Sequence, residues 1–323
     1  MKQELEYPSP RNMPKNGELM NARKTARYVI VAVMLLFPIA AWMGATLTAG
    51  QAPPRGFPSY KPPRTADGKP DLSGIWQALD SEANWDILEH NEQAGPHPEI
   101  MAAYGAGPAG PGIVEGNEIP YQPWALEKKK QNFANRMKVD IVTSNLARYD
   151  TGDPELKCYL PGVPRATYMP YPFQIFQTPE KFLVIYTFRK AVRSIFMTKD
   201  VPEGPGQTWM GWSNGHWEGD TLVVDVTGFN EYTWFDRAGN FHSDALHVIE
   251  RYTPLSPYHL MYEATIEDPK VFTRPWKMKF PLYRRVNANA QLMDFNCVEF
   301  AEDMLYSPLN NSKPPTGPAT TGQ

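Results

Sequence analysis

The sequence predicts a mainly β protein: a single amino-terminal transmembrane helix followed by a periplasmic β-sandwich or barrel-like domain with long loops. Three observations carry that reading. Residues Tyr28–Leu47, YVIVAVMLLFPIAAWMGATL, are a twenty-residue run without a formal charge, long enough as a helix to cross a hydrocarbon core of about 30 Å. In the second half of the chain, apolar side chains alternate over short stretches bounded by turn residues, as they do in strands. Proline is frequent, with 33 residues, and aromatics make up 12%, a balance that favours short strands, long loops and aromatic packing over long helices.

The apolar run sets the order of everything else. Arg23, Lys24 and Arg27 flank it on the amino side, whereas the first basic residue after it is Arg55. That asymmetry keeps the amino end in the cytoplasm and places the rest outside, as a single-pass protein of the inner membrane. Pro38 is expected to bend the span. The competing reading is a signal peptide cleaved near Ala49 in LTAGQA; the long polar stretch before the run, and a run longer than the roughly 7–15 residues of such peptides, argue for a retained anchor. The expected organisation is a cytoplasmic tail over 1–27, the span over 28–47 and a proline-rich periplasmic linker over 48–70. A β-rich domain with an irregular and helical insertion follows over 71–303, then an extended tail over 304–323. Trp42 in the span, and Phe57 and Tyr60 in the linker, are candidate interface residues.

Composition narrows the function classes. The 32 basic and 35 acidic residues leave a net charge of –3, with the basic residues of the outer region dispersed, so no nucleic-acid groove is expected. The two cysteines, Cys158 and Cys297, both follow the span. In an oxidising periplasm they are placed to form a disulfide, the alternative being two buried thiols. Neither belongs to a CxxC pair, which removes the usual signal for haem attachment or thioredoxin-like chemistry.

Along the outer domain, Asp71–Ile87 opens the fold with Leu72, Ile75 and Trp76 as burial candidates. MAAYGAGPAGPGIVEG over Met101–Gly116 reads as an irregular excursion. Pro123–Met137 is the best helix outside the span, with Pro123 suited to its first turn. Strands are expected at Phe173–Gln177, Phe182–Phe188, Val192–Met197, Trp212–Glu218 and Thr221–Val226, the last two joined by a Gly219-Asp220 hairpin. Further strands are expected at Ala245–Tyr252, His259–Ile266, Lys277–Val286 and Gln291–Phe300. Roughly eight or nine strands suit a sandwich or a closed barrel.

The densest polar stretch is WFDRAGNFHSDALH over Trp234–His247. It supplies Asp236, Arg237, His242, Asp244 and His247, with His216 one hairpin earlier. Two histidines and an acid suffice for a divalent metal if turns bring them together. In a regular strand, however, His242 and His247 point to opposite faces, and His242 and Asp244 share a face where hydrogen bonding is the plainer outcome. A periplasmic metal-dependent or hydrolytic enzyme built on His216, Asp236, His242 and Asp244 is therefore the alternative reading. Ser213 and Ser243 lie in no GxSxG arrangement, and Glu267-Asp268-Pro269 reads as a turn. No catalytic or metal-binding residue is assigned. Trp209, Trp212, Trp217, Trp234 and Trp276 suit either exposed carbohydrate or pigment contacts or a β-domain core.

Gly74-Ile75-Trp76 is similar to the glycine-x-tryptophan signal near the first strand of lipocalins, which implies a lipophilic-ligand barrel; the strand-poor stretch behind it departs from a lipocalin meander. More broadly, PDLSGIW, KCYLPGVPR, PYPFQIFQTPE, WEGDTLVVDVTGFNEYTWFDRAGNFHSDALHVIERYT and TIEDPKVFTRPW resemble a family of exported bacterial proteins across most of residues 70–300. That resemblance implies an exported β-rich domain and assigns no activity. The whole layout also resembles the periplasmic accessory subunit of the Gemmatimonas-type photosynthetic reaction-centre and light-harvesting complex. This resemblance implies a structural subunit, not an enzyme, that links reaction-centre and antenna subunits in the bilayer. It further implies no cofactor held specifically by this chain, with peripheral contacts to bacteriochlorophyll, carotenoid or lipid.

Overall fold

A computed structural model of the chain describes residues 60–93, 106–136, 152–198, 204 and 206–298. All belong to the second of two units, Tyr60–Gln323. The expected span Tyr28–Leu47 with Trp42, the amino-terminal tail, Phe57 and the tail over 304–323 lie outside the described residues. Among the described residues, no helix is long and apolar enough to cross a membrane.

Of the two expected architectures the chain adopts the barrel. Strands β1 (Gly74–Ala78), β2 (Phe173–Gln177), β3 (Lys181–Tyr186), β4 (Val192–Phe196), β5 (Trp212–Glu218), β6 (Thr221–Thr227), β7 (His247–Ser256), β8 (His259–Glu267) and β9 (Trp276–Arg284) close in chain order. All neighbours are antiparallel except β4 and β5, which pair in parallel at Ile195–Ser213 and Phe196–Asn214. Helix α1 spans Pro123–Asn135 and the short, wholly buried helix α2 spans Arg165–Tyr168.

Period-two alternation explains the strands. In β8, Leu260, Tyr262, Ala264 and Ile266 are buried while the residues between them are partly exposed; in β9 the same parity buries Trp276, Met278, Phe280 and Leu282. Such alternation fits a strand with one face on a core and one towards solvent. The barrel shuts where β1 meets β9, Trp76 lying opposite Arg284. There the Arg284 guanidinium stacks 4.3 Å from the centre of a Trp76 ring and donates to the Ser73 carbonyl at 2.6 Å. Gly74 makes room for it: its φ is +139° and a Cβ would sit 2.4 Å from the guanidinium, so only glycine fits this approach.

Residues 60–70 form a turn on the barrel. Thr65 N–H reaches the Lys69 carbonyl at 2.9 Å, Gln177 donates to the Pro70 carbonyl at 2.9 Å, and Arg64 pairs with Asp220 at 2.7 Å. Two strand expectations are corrected. β3 stops at Tyr186, because the chain turns through Phe188–Lys190 with Arg189 and Lys190 at positive φ. The strand expected at Gln291–Phe300 is absent over its described residues 291–298, since β1 already occupies the free edge of β9. Phe295 packs instead on Tyr171 and Phe188, and Cys297 is joined to Cys158 across 139 residues. The disulfide, not the pair of thiols, is therefore the state of the cysteines.

The barrel encloses charge. Arg193 of β4 and Glu250 of β7, 2% and 0% exposed, form a bidentate ion pair. Arg193 also donates to Ser213 at 2.9 Å, while Tyr252 and Tyr262 donate to Glu250 at 3.1 and 2.8 Å. Burial disfavours the Arg193 charge, but Glu250 outweighs it and holds the guanidinium firmly protonated. The outer face of β2–β4 carries an apolar patch among Gln174, Lys181 and Ser194: by register Phe176 lies beside Leu183, and Ile185 beside Val192. Phe176 is 44% and Val192 58% exposed. Removing one member of a buried ion pair strands the other, at a cost of about 3–5 kcal/mol. Glu250→Ala should lose that much unfolding free energy in urea, and the Arg193→Met/Glu250→Met double variant distinctly less.

Candidate functional site

The polar stretch singled out in the sequence lies in the loop from β6 to β7, which folds back on itself and docks on α1. Trp234 and Phe241 form an antiparallel bridge, and Phe235 N–H bonds to the Asn240 carbonyl at 2.7 Å. Gly239, at φ +84°, presses against the helix: a Cβ there would stand 2.8 Å from both Asn132 Cβ and the Phe133 nitrogen. Asn132 Nδ2 then donates to the Gly239 carbonyl at 3.2 Å.

Consecutive residues of this loop enter separate networks. Asp236 is fully buried and accepts from Ile87 N–H at 3.0 Å, Asn240 N–H at 3.1 Å and Asn240 Nδ2 at 2.5 Å. Tyr121 donates to the amide oxygen of Asn240 at 2.9 Å. Burial, reinforced by the nearby Asp86 carboxylate, pushes Asp236 up to about 7; Asp86 is raised as well, by burial first. Arg237 turns the other way and grips Glu155 with two bonds of 2.7 and 2.8 Å. Glu155 is shared with buried Arg165 at 2.8 Å, and Arg165 also binds Asp153 at 3.2 Å and Asn84 at 2.9 Å. Burial raises Glu155, but Arg237 and Arg165 overcome it and draw the carboxyl down to about 2. Such a network is fully paired and rigidifies the loop.

The four residues of the enzyme reading are not brought into one cleft. His216 is exposed, 3.3 Å from Glu218 of its own strand. His242 is buried: Nδ1 donates to the Ser243 carbonyl at 2.9 Å, leaving Nε2 to accept from Thr233 at 2.6 Å. Burial lowers its pKa and keeps it neutral. Asp244 is at the surface, bound to Lys270 at 2.6 Å, so the expected sharing of a face by His242 and Asp244 does not occur, because the segment is a loop and lacks strand parity. His247, on β7, sits between Asp225 and Glu267 at 3.0 Å from each. Among the described residues no group of three or more His, Cys, Asp or Glu is arranged to hold a metal. Ser243 donates to Asp268 at 2.9 Å, and Asp268 caps the expected turn by accepting from Lys270 N–H at 3.1 Å. Tyr60, of the interface candidates, is half-buried.

A cleft of about 270 Å³ opens between α1 and this loop. One wall is Trp124, Lys128 and Asn132, spaced four apart and hence on one helix face; the other includes Glu231, Tyr232 and Trp234, with Phe241, His242 and Ser243 completing the lining. Sequence reasoning missed this cleft, the Arg165 network and the Arg193–Glu250 pair. For the pair a signal existed: Arg193 shares strand parity with Ile195, and Glu250 with Val248 and Tyr252. A charge on the apolar parity of a strand points inward.

Compared with known proteins, the chain matches no family model, and no curated protein matches it.

Two outcomes follow from the loop. A Gly239→Ala variant forces both positive φ and a clash with helix backbone, so thermal unfolding should show a loss of about 1–3 kcal/mol. For Asp236 the folded pKa is raised from 3.8 to about 7, so the native state holds a proton between those values that the unfolded chain releases. Its contribution is fully present below about pH 4 and is lost as pH rises through 7. Urea unfolding between pH 5 and pH 8 should show wild-type stability falling relative to Asp236→Asn; a constant difference would exclude the buried proton.

Proposed function

We propose that the chain is a membrane-anchored structural accessory subunit whose barrel binds partner subunits of a large membrane complex. The observation that supports this reading most is the apolar patch on the outward face of β2–β4, where Phe176 and Val192 stand half-exposed beside Leu183 and Ile185. On an antiparallel sheet the solvent face is ordinarily polar, and a contiguous exposed apolar patch marks a contact surface. The barrel interior, filled by the Arg193–Glu250 pair and its tyrosines, suits a rigid platform.

In this reading Tyr28–Leu47 locates the protein in the inner membrane, amino end in the cytoplasm. The partners are reaction-centre and antenna subunits of a photosynthetic complex, with bacteriochlorophyll, carotenoid or lipid touching it only peripherally. The layout of anchor, linker and aromatic-rich outer domain favours that assignment.

The test is purification of the intact protein from its native membrane in a gentle detergent, with absorption spectroscopy and identification of co-purifying chains. Reaction-centre and antenna subunits should appear at fixed ratio, and a Phe176→Glu/Val192→Glu variant should lose them while keeping its fold. Deletion of 28–47 should abolish membrane assembly. A pigment-free, partner-free preparation would sink the assignment.

A further inference from the structure

We infer that the cleft between α1 and the loop before β7 is a binding site for a neutral saccharide. Its mouth presents two flat aromatic rings to water: Trp124 is 53% and Tyr232 37% exposed. Neither is loose. Trp124 packs edge-on against Phe241 at 6.1 Å, and Tyr232 is backed by Trp209 at 5.8 Å. The walls are fixed to each other by the Gly239 approach to α1 and the Asn132 bond to it. Rings braced in this way are ordered before a ligand arrives, which lowers the entropic cost of binding.

The polar groups decide the ligand class. Lys128 on the helix wall and Glu231 on the loop wall put one charge of each sign on the lining. An anion would meet Glu231, a cation would meet Lys128, and a purely apolar molecule would desolvate both. A hydroxyl both donates to a carboxylate and accepts from an ammonium. A molecule with hydroxyls around its edge and an apolar C–H face to lay on an aromatic ring is a pyranose. The volume, about 270 Å³, lies just under the roughly 300–1,000 Å³ of sites that enclose drug-sized ligands, which suits one sugar ring with a chain leaving through the mouth. His242, with both ring nitrogens engaged by Thr233 and the Ser243 carbonyl, gives the lining a fixed, hydrogen-bonded support.

The experiment uses the full-length protein in a detergent without a sugar headgroup. Tryptophan fluorescence is titrated with cellobiose, maltose and diacetylchitobiose, and saturation-transfer NMR identifies the ligand protons in contact. At least one of the three should give a saturable change, with the ring-face C–H protons most strongly saturated. Trp124→Ala and Tyr232→Ala should each weaken binding about tenfold, with circular dichroism unchanged because both side chains lie at the surface. Tyr258→Ala, an exposed aromatic of the β7–β8 turn outside the cleft, should bind as wild type. No saturable response to any of the three, or binding retained in both cleft variants, would overturn the inference.

Discussion

The contact on which the barrel depends is the pairing of its first strand with its last. β1 and β9 are nearly two hundred residues apart in the chain, and their union leaves no strand edge open between them. At that seam Arg284 covers Trp76, and Gly74 lacks the Cβ that would obstruct it. The stacking shields the indole and lets a cation remain half-buried, since its charge faces the ring and the Ser73 carbonyl. Closure also explains why residues 291–298 add no strand and are secured through Phe295 and the Cys158–Cys297 bridge.

Charge inside this protein is organised in pairs and networks. Arg193 with Glu250, and Arg165 and Arg237 with Asp153 and Glu155, each satisfy opposite charges at hydrogen-bonding distance. Buried pairs of this kind contribute little net stability over an apolar core, yet removal of one partner is costly. Their effect is to make alternative packings expensive. The loop before β7 is held to Ile87 by Asp236 and to Glu155 by Arg237, while Gly239 and Asn132 seat it on α1, and the cleft takes its shape from that docking.

The outer surface offers two kinds of recognition. The β2–β4 face carries an open apolar patch, suited to a protein or lipid neighbour. The α1 cleft is smaller, braced and charge-balanced, suited to a small polar ring.

Much of the fold was legible in the sequence. Eight strands fell within a few residues of their observed positions, because period-two burial is written directly into runs such as KFLVIY and HLMYEATIE, and α1 was placed by Pro123 and its apolar positions. The chemistry of WFDRAGNFHSDALH was not legible: strand parity was applied to a loop, and the neighbours Asp236 and Arg237 diverge to partners 149 and 82 residues away in sequence. The choice of barrel over sandwich rested on which distant strand β1 would meet, and the cleft on how a glycine in a loop approaches a helix. By itself the sequence determined the periodic local structure and a twenty-residue apolar run. Only the tertiary structure decided closure, the disulfide and the cleft, because these are contacts between segments remote in the chain, and local periodicity carries no information about which remote surface a face will meet.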